Sequence, residues 1–413
     1  MHGNKPVGRG SKRLVPAGAC EASASSSALA AASMAATIVG DCPHTGCGLN
    51  GAWLGSGVRF RTLHLTPGVQ NDVNLTIAAF VDRRGRQLTL RIDREHPDVL
   101  IGIDPSNRVV QGECTSADDD RCLTGARLFL VPPADSDQVR SILKEFPDAT
   151  PRIVGGYEFT IERISSTPFW SQRPGQPPDR EVPVYSFTVT SLADNCSVEL
   201  CRPGLTDDHA GGLRGAAVIF RGDTYDERSY QVTDTLRDPD DDQFNIACVG
   251  TAISKLHLLR HTAASGGGTT VVQRQAMLRL LTADYCGNGH PFTVDGLPLD
   301  LEFDSPRGYA PTSESLYPVT SRDTLDAGWN ENGATCLGHP RLLPNRRLRW
   351  DPADPANDNR LFAAIRHVCG GSGHELPACS PPPAGASVNA YARGLYDQGA
   401  YAISMSPAAP RRR

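Results

Sequence analysis

Apolar and polar positions alternate through the first half of this chain. Val73, Leu75, Ile77, Ala79 and Val81 take every second position, Arg83-Arg84-Gly85-Arg86 makes a turn, and Leu88, Leu90 and Ile92 alternate again. A period of two predicts an antiparallel hairpin with one buried face. Val99, Ile101 and Ile103 extend that sheet. Upstream, residues 48 to 65 read as a turn and two strands around Trp53, Leu54, Val58, Phe60, Leu63 and Leu65. Further strands are predicted at Tyr157-Phe159-Ile161 and Tyr185-Phe187-Val189. Between these groups the period changes. Val139, Ile142, Leu143 and Phe146 share one helical side, with Asp135 or Ser136 placed to cap it.

The second half mixes both periods. Ala217 to Phe220 is a short buried strand, and Phe244 to Cys248 leads into a helix with Val249, Ala252, Ile253 and Leu256 inward. A second helix, Ala276 to Leu281, runs into Thr282-Ala283-Asp284-Tyr285-Cys286-Gly287-Asn288-Gly289. Phe292, Val294, Leu297, Leu299 and Leu301 then form a hairpin about Asp295-Gly296. Near the end, Asp358 or Asn359 caps a helix with Leu361, Phe362, Ile365 and Val368 inward, and Gly370 stops it. The predicted fold is α+β, mostly antiparallel sheet with a few short helices. The predicted divisions are 1–40 as an export-signal-like or disordered segment, a β-rich region 41–172, a Pro-rich linker 173–183, a domain 184–345, and a helix and tail 346–413.

Composition adds a compartment. With 39% hydrophobic and 21% charged residues in 413, the chain buries a substantial core. The net charge of −5 and the lack of a basic stripe argue against a nucleic-acid partner. No run of about 18 or more strongly apolar residues predicts a membrane span. Eight of the 12 cysteines fall into four close pairs, none with zinc-ribbon spacing, which favours disulfides in an oxidising compartment. The predicted bridges are Cys42–Cys47, Cys114–Cys122 and Cys369–Cys379. Cys201, Cys248, Cys286 and Cys336 supply two more, with 201–248 and 286–336 favoured among three connectivities. Cys196 is then the odd thiol. The basic residues 1–13 and the Ala-rich run Ala28 to Val39 resemble a signal peptide. Lipid anchoring at Cys20 is the less favoured form of export, because no proper apolar segment precedes it.

Residues 184–345 resemble the ADYC-domain family of secreted bacterial proteins, to which no reaction is assigned. Four pieces in order carry the resemblance: Phe244-Asn245-Ile246-Ala247-Cys248 through Lys255, Ala283-Asp284-Tyr285-Cys286-Gly287-Asn288-Gly289, Thr293-Val294-Asp295-Gly296, and Gly328-Trp329-Asn330-Glu331-Asn332-Gly333-Ala334-Thr335-Cys336. The resemblance implies export. It also points to a departure: where the family pattern carries cysteines after the lysine and shortly before the ADYC motif, this chain has Leu256 and Met277.

Cys286 is the sharpest candidate for chemistry. With Asp284, His290 and His339 it would make a thiol nucleophile. Its place after a helix, where the dipole opposes a thiolate, favours a structural disulfide instead. Asp284 reads as a turn carboxylate and Tyr285 as a core aromatic. His367 and His374 around Cys369 and Cys379 fit no standard zinc spacing, and Asp118-Asp119-Asp120 reads as a charged turn rather than a calcium loop. No catalytic residue, metal or cofactor is therefore assigned. The expected role is a non-catalytic binding or structural module with an envelope or extracellular partner; the alternative is a secreted thiol-dependent hydrolase.

Overall fold

The computed structural model describes residues 54–55, 60–116, 118–172, 180–201, 213, 215–236, 238, 242–292, 300–303, 310–311, 324–338, 355–371, 373, 375–380 and 394–406. Cys20, Cys42, Cys47, His339 and His374, the hairpin about Asp295-Gly296 and most of the Pro-rich stretch lie outside the described residues.

The N-terminal half contributes β1 (Thr62–His64), β2 (Thr76–Val81), β3 (Gln87–Ile92), β4 (Leu100–Ile103), β5 (Val109–Val110), β6 (Arg127–Val131), α1 (Ser136–Glu145) and β7 (Tyr157–Thr167). There follow β8 (Ser171–Gln172), β9 (Val182–Ser191), β10 (Ser197–Glu199), β11 (Ala216–Arg221), β12 (Asp223–Tyr225), β13 (Val232–Asp234), β14 (Gln243–Cys248), α2 (Ala252–Leu258) and α3 (Val271–Thr282). The last elements are β15 (Asp300–Phe303), β16 (Ala310–Pro311), β17 (Thr324–Asn330), β18 (Gly333–Leu337), α4 (Pro355–Gly371) and β19 (Ala402–Ser406).

The fold is α+β and mostly antiparallel. An 11-stranded sheet runs β1-β14-β11-β9-β7-β6-β2-β3-β4-β5, with β10 beside β9. A 4-stranded sheet runs β15-β19-β17-β18. Strands β7 and β9, on either side of the Pro-rich stretch, pair from Tyr157 opposite Ser191 to Thr167 opposite Val182. Strand β1 pairs with β14. The large sheet therefore takes strands from both sides of the Pro-rich stretch.

The large sheet curls on itself. The Leu100 amide donates to the Tyr185 hydroxyl at 2.9 Å, and the Arg221 amide to the Pro97 carbonyl at 2.9 Å, so β4 and the loop before it lie over β9 and β11. Leu88, Leu128, Phe159, Phe187 and Ile219 fill the space enclosed. A second cluster joins β9, β11 and β14 to α2, α3, α4 and the smaller sheet.

Alternation holds at β3, where Leu88, Leu90 and Ile92 are buried between exposed neighbours. It fails at β2, which is buried at every position rather than on one face. There α1 covers the second face, placing Val139 and Leu143 against Ala79 and Val81, and a register shift between Ile77 and Ala79 breaks the period. Strand β4 extends the sheet as expected, paired with β3. Leu100 and Gly102 face inward, and Val99, Ile101 and Ile103 are half-exposed. A Cβ on Gly102 would lie 2.7 Å from the Leu88 Cδ1, so the glycine lets Leu88 pack close against the strand. Phe146 lies past the end of α1 and is 58% exposed, not part of its inner side. Helix α4 begins at Pro355, ahead of the expected caps, and runs through Gly370 to Gly371; Ile365 and Cys369 face the core, and Val368 is exposed.

The acidic loop has protein partners. In two matching turns, β2–β3 and β4–β5, Asp82 accepts from the amides of Arg84 and Arg86, and Asp104 from those of Ser106 and Arg108. Arg86 and Arg108 thereby reach the Asp120 carboxylate, at 3.5 and 3.9 Å. Arg83 and Arg84 donate to the Asp119 and Asp118 carbonyls. The Cys114–Cys122 bridge closes the loop they hold.

Candidate functional site

The ADYC motif sits where α3 ends. Thr270 starts that helix with a reciprocal capping box to Gln273. From Arg274 to Thr282 every residue is buried, so the helix is enclosed all round and not on one apolar face. Its polar residues tolerate this because each finds partners. Arg274 pairs with Asp234 at 2.8 Å and Asp223 at 3.5 Å. Gln275 accepts from the Val232 amide at 2.7 Å and donates to the Tyr230 carbonyl at 2.8 Å. Arg279 donates to the Ser229 carbonyl at 2.6 Å and pairs with Asp284.

Each motif residue then has a structural task. Ala283 ends the helix in the left-handed region at φ 51°. The Asp284 amide bonds to the Arg279 carbonyl at 2.9 Å and the Ala283 amide to the Leu280 carbonyl at 3.2 Å, the two bonds of a Schellman ending. The fully buried Asp284 carboxylate accepts from the Asn288 and Gly289 amides at 3.1 and 2.8 Å, which folds the glycine turn around it. Both glycines are required. A Cβ on Gly287 would lie 2.0 Å from the Asn332 carbonyl oxygen, one on Gly289 1.9 Å from that of Arg228, and both have positive φ.

Tyr285 links the turn to the smaller sheet. Its ring stacks on Trp329 with centroids 5.0 Å apart. Its hydroxyl donates to Asp326 at 2.7 Å; Asp326 also accepts from Ser404 at 2.6 Å, and Ser404 accepts from the Trp329 indole N–H at 2.7 Å. All four side chains are buried.

Cys286 bonds to Cys369 of α4, across 83 residues. Cys336 bonds to Cys379. The expected pairs 286–336 and 369–379 are thus exchanged for 286–369 and 336–379, while Cys201 bonds to Cys248. The reason lies in α4 and in the chain after it. Cys369 stands one turn beyond the inward Ile365 and shares its face. The following chain runs beside β18 through Leu337 N–Pro377 O and Cys379 N–Leu337 O bonds of 2.9 and 3.0 Å, which sets Cys379 next to Cys336. Cys196 is also in a disulfide, so it is not the odd thiol. Among the described residues no cysteine is free and no group of His, Cys, Asp and Glu could hold a metal. His290 is exposed, with its ring against Phe292.

Leu256 and Met277 are both fully buried in one cluster, on the adjacent helices α2 and α3. Leu256→Ala is expected to cost about 2 to 5 kcal/mol in urea unfolding. The double replacement by cysteine is expected to oxidise, read as a loss of two protons in intact mass.

Two buried histidines carry no sequence signal. His257 contacts Thr262 Oγ1 at 2.9 Å and Asp98 at 3.1 Å, and lies flat on Phe220. Arg180 also reaches Asp98, at 2.7 Å. Burial works against the Asp98 charge, but the bonds and charges of His257 and Arg180 prevail and hold its pKa below the ordinary range. This cluster ties the loop before β4 to α2. His261 bonds to the Tyr401 hydroxyl at 2.7 Å and the Leu259 carbonyl at 2.9 Å. Burial, with Arg274 adding to it, pushes its pKa down from 6.5 to about 4. Between those values the unfolded chain binds the extra proton. The stability from neutral His261 is therefore complete above pH 6.5 and is lost as pH falls toward 4. The loss amounts to roughly 3 kcal/mol. Urea midpoints across this range should fall with acid, and His261→Gln should flatten the fall.

No curated protein and no solved structure matches this chain. One family model does, over residues 152–343. It starts ahead of the Pro-rich stretch and so takes in β7, the partner of β9, as well as the motif turn and the hairpin β17–β18. That model is the ADYC domain, and residues 152–343 are similar to it.

Proposed function

We propose that this protein is exported and works in the bacterial envelope or outside the cell as a non-catalytic binding or structural module. The observation that carries the reading is the Cys286–Cys369 bond. The residue best suited to covalent chemistry holds two elements together, and Asp284 and Tyr285 beside it are fully engaged in packing and hydrogen bonds. The competing thiol-dependent hydrolase needs a thiolate at Cys286, and no observation favours one.

Export accords with the bonded state of every described cysteine, since such bonds persist outside a reducing cytosol. On this reading residues 1–40 are the export signal. The absence, among the described residues, of a helix long and apolar enough to cross a membrane accords with it. The test is alkylation of the full chain without reduction, followed by peptide mapping, on protein recovered from cell fractions. The expected result is no label on Cys286 and recovery outside the cytosol. Labelled Cys286 would overturn the non-catalytic reading, and a wholly cytosolic, reduced protein would overturn export.

A further inference from the structure

A pocket of about 210 Å³ opens beside the motif turn, lined by Gln231, Val271, Val272, Arg279, Glu331 and Asn332 among others. Its volume is below the roughly 300 to 1,000 Å³ of drug-sized ligand sites, so its occupant is small. Arg279 distinguishes it from an ordinary surface dip. This side chain is 2% exposed, yet among the described residues its bonds run from Nη1 alone, to Ser229 and Asp284. Its Nε is buried with no partner among the described residues. A guanidinium with unused donors lining a pocket is a receptor for a carboxylate.

The rest of the lining narrows the choice. Glu331, half-buried in the turn between β17 and β18, adds a negative charge, and Asp284 already offsets Arg279. A simple anion would meet those carboxylates, and a simple cation would meet Arg279. A zwitterion satisfies both, its carboxylate on Arg279 and its ammonium on Glu331. Val271 and Val272, the first residues of α3, add an apolar wall, and Val272 is 51% exposed at present. Among the described residues no aromatic ring lines the pocket for a sugar to stack on.

We propose that this pocket binds a free α-amino acid with a small aliphatic side chain. The proposal rests on the reading of the protein as a binding module and names its ligand class. The test is calorimetric titration of the full oxidised chain with L-valine, L-valine methyl ester and isovalerate. L-valine should bind, and the ester and the amine-free acid should bind at least about tenfold more weakly. Glu331→Gln, on the pocket rim and clear of the core, should weaken L-valine and remove its preference over isovalerate, whose own binding it should not weaken. Val272→Trp should weaken all three by filling the mouth. No binding of L-valine, equal binding of the three probes, or an unchanged affinity in Glu331→Gln would overturn the proposal. The alkylation pattern does not depend on this pocket, so failure here leaves the broader reading to its own test.

Discussion

Replacing Cys286 and Cys369 together with alanine is expected to destabilise the fold by about 4 to 5 kcal/mol, the chain-entropy value for so long a loop. The bond spans 83 residues, against 8 for Cys114–Cys122, whose removal should cost about 2 kcal/mol. Both sulfurs lie in buried residues of the main cluster, so the replacement also leaves small gaps there. The measurement is the urea midpoint followed by tryptophan fluorescence, for which Trp329 stacked on Tyr285 is a local reporter. A double variant with the wild-type midpoint would show that α3 and α4 hold together without the bond. The paired substitution matters. A single one leaves a free thiol that exchanges with Cys336–Cys379 and confuses the result.

What the sequence showed of this fold follows from how far apart the contacting residues are. Strand β3 was legible because only one of its faces is covered, so burial and exposure alternate locally. Strand β2 misled because its second cover, α1, comes from a distant segment and erases the alternation. In β4 the positions that face inward are Leu100 and Gly102. The small Gly102 fits against Leu88, and a search for bulky apolar side chains passes over it. At the motif, the sequence placed Cys286 correctly after a helix. It could not show Asp326 and Ser404, which complete the Tyr285 chain from another sheet.

The cysteines make the same point. Close spacing suggested Cys369–Cys379, yet Cys369 sits within a helix and points with Ile365 into the core, away from the chain that follows. The i, i+4 relation of those two residues was the available signal. The acidic loop was read as a solvated turn because its arginines come from two separate turns. The repeated spacing of Asp82 to Arg86 and Asp104 to Arg108 was visible, but its meaning needed both turns side by side.

Asp284→Ala is expected to cost about 3 to 5 kcal/mol, because it leaves the buried Arg279 charge without its partner. Both side chains are buried, at 0% and 2% exposure. Burial already draws the Arg279 pKa below the ordinary arginine range, and Asp284 is what opposes that pull. The same substitution strips an acceptor from the Asn288 and Gly289 amides, so the turn that fits Gly287 against Asn332 loosens as well. Asp284→Asn separates the two effects. It keeps one acceptor oxygen for the turn and removes the charge, so it should lie between wild type and alanine. A double variant, Asp284→Leu with Arg279→Met, removes both charges and should be less destabilised than Asp284→Ala alone. Urea midpoints of the four proteins decide the matter. If Asp284→Ala stayed within about 1 kcal/mol of wild type, the carboxylate would be dispensable to the fold. The structural account of the motif would then fail at its second residue, and a chemical role for Asp284 would have to be sought.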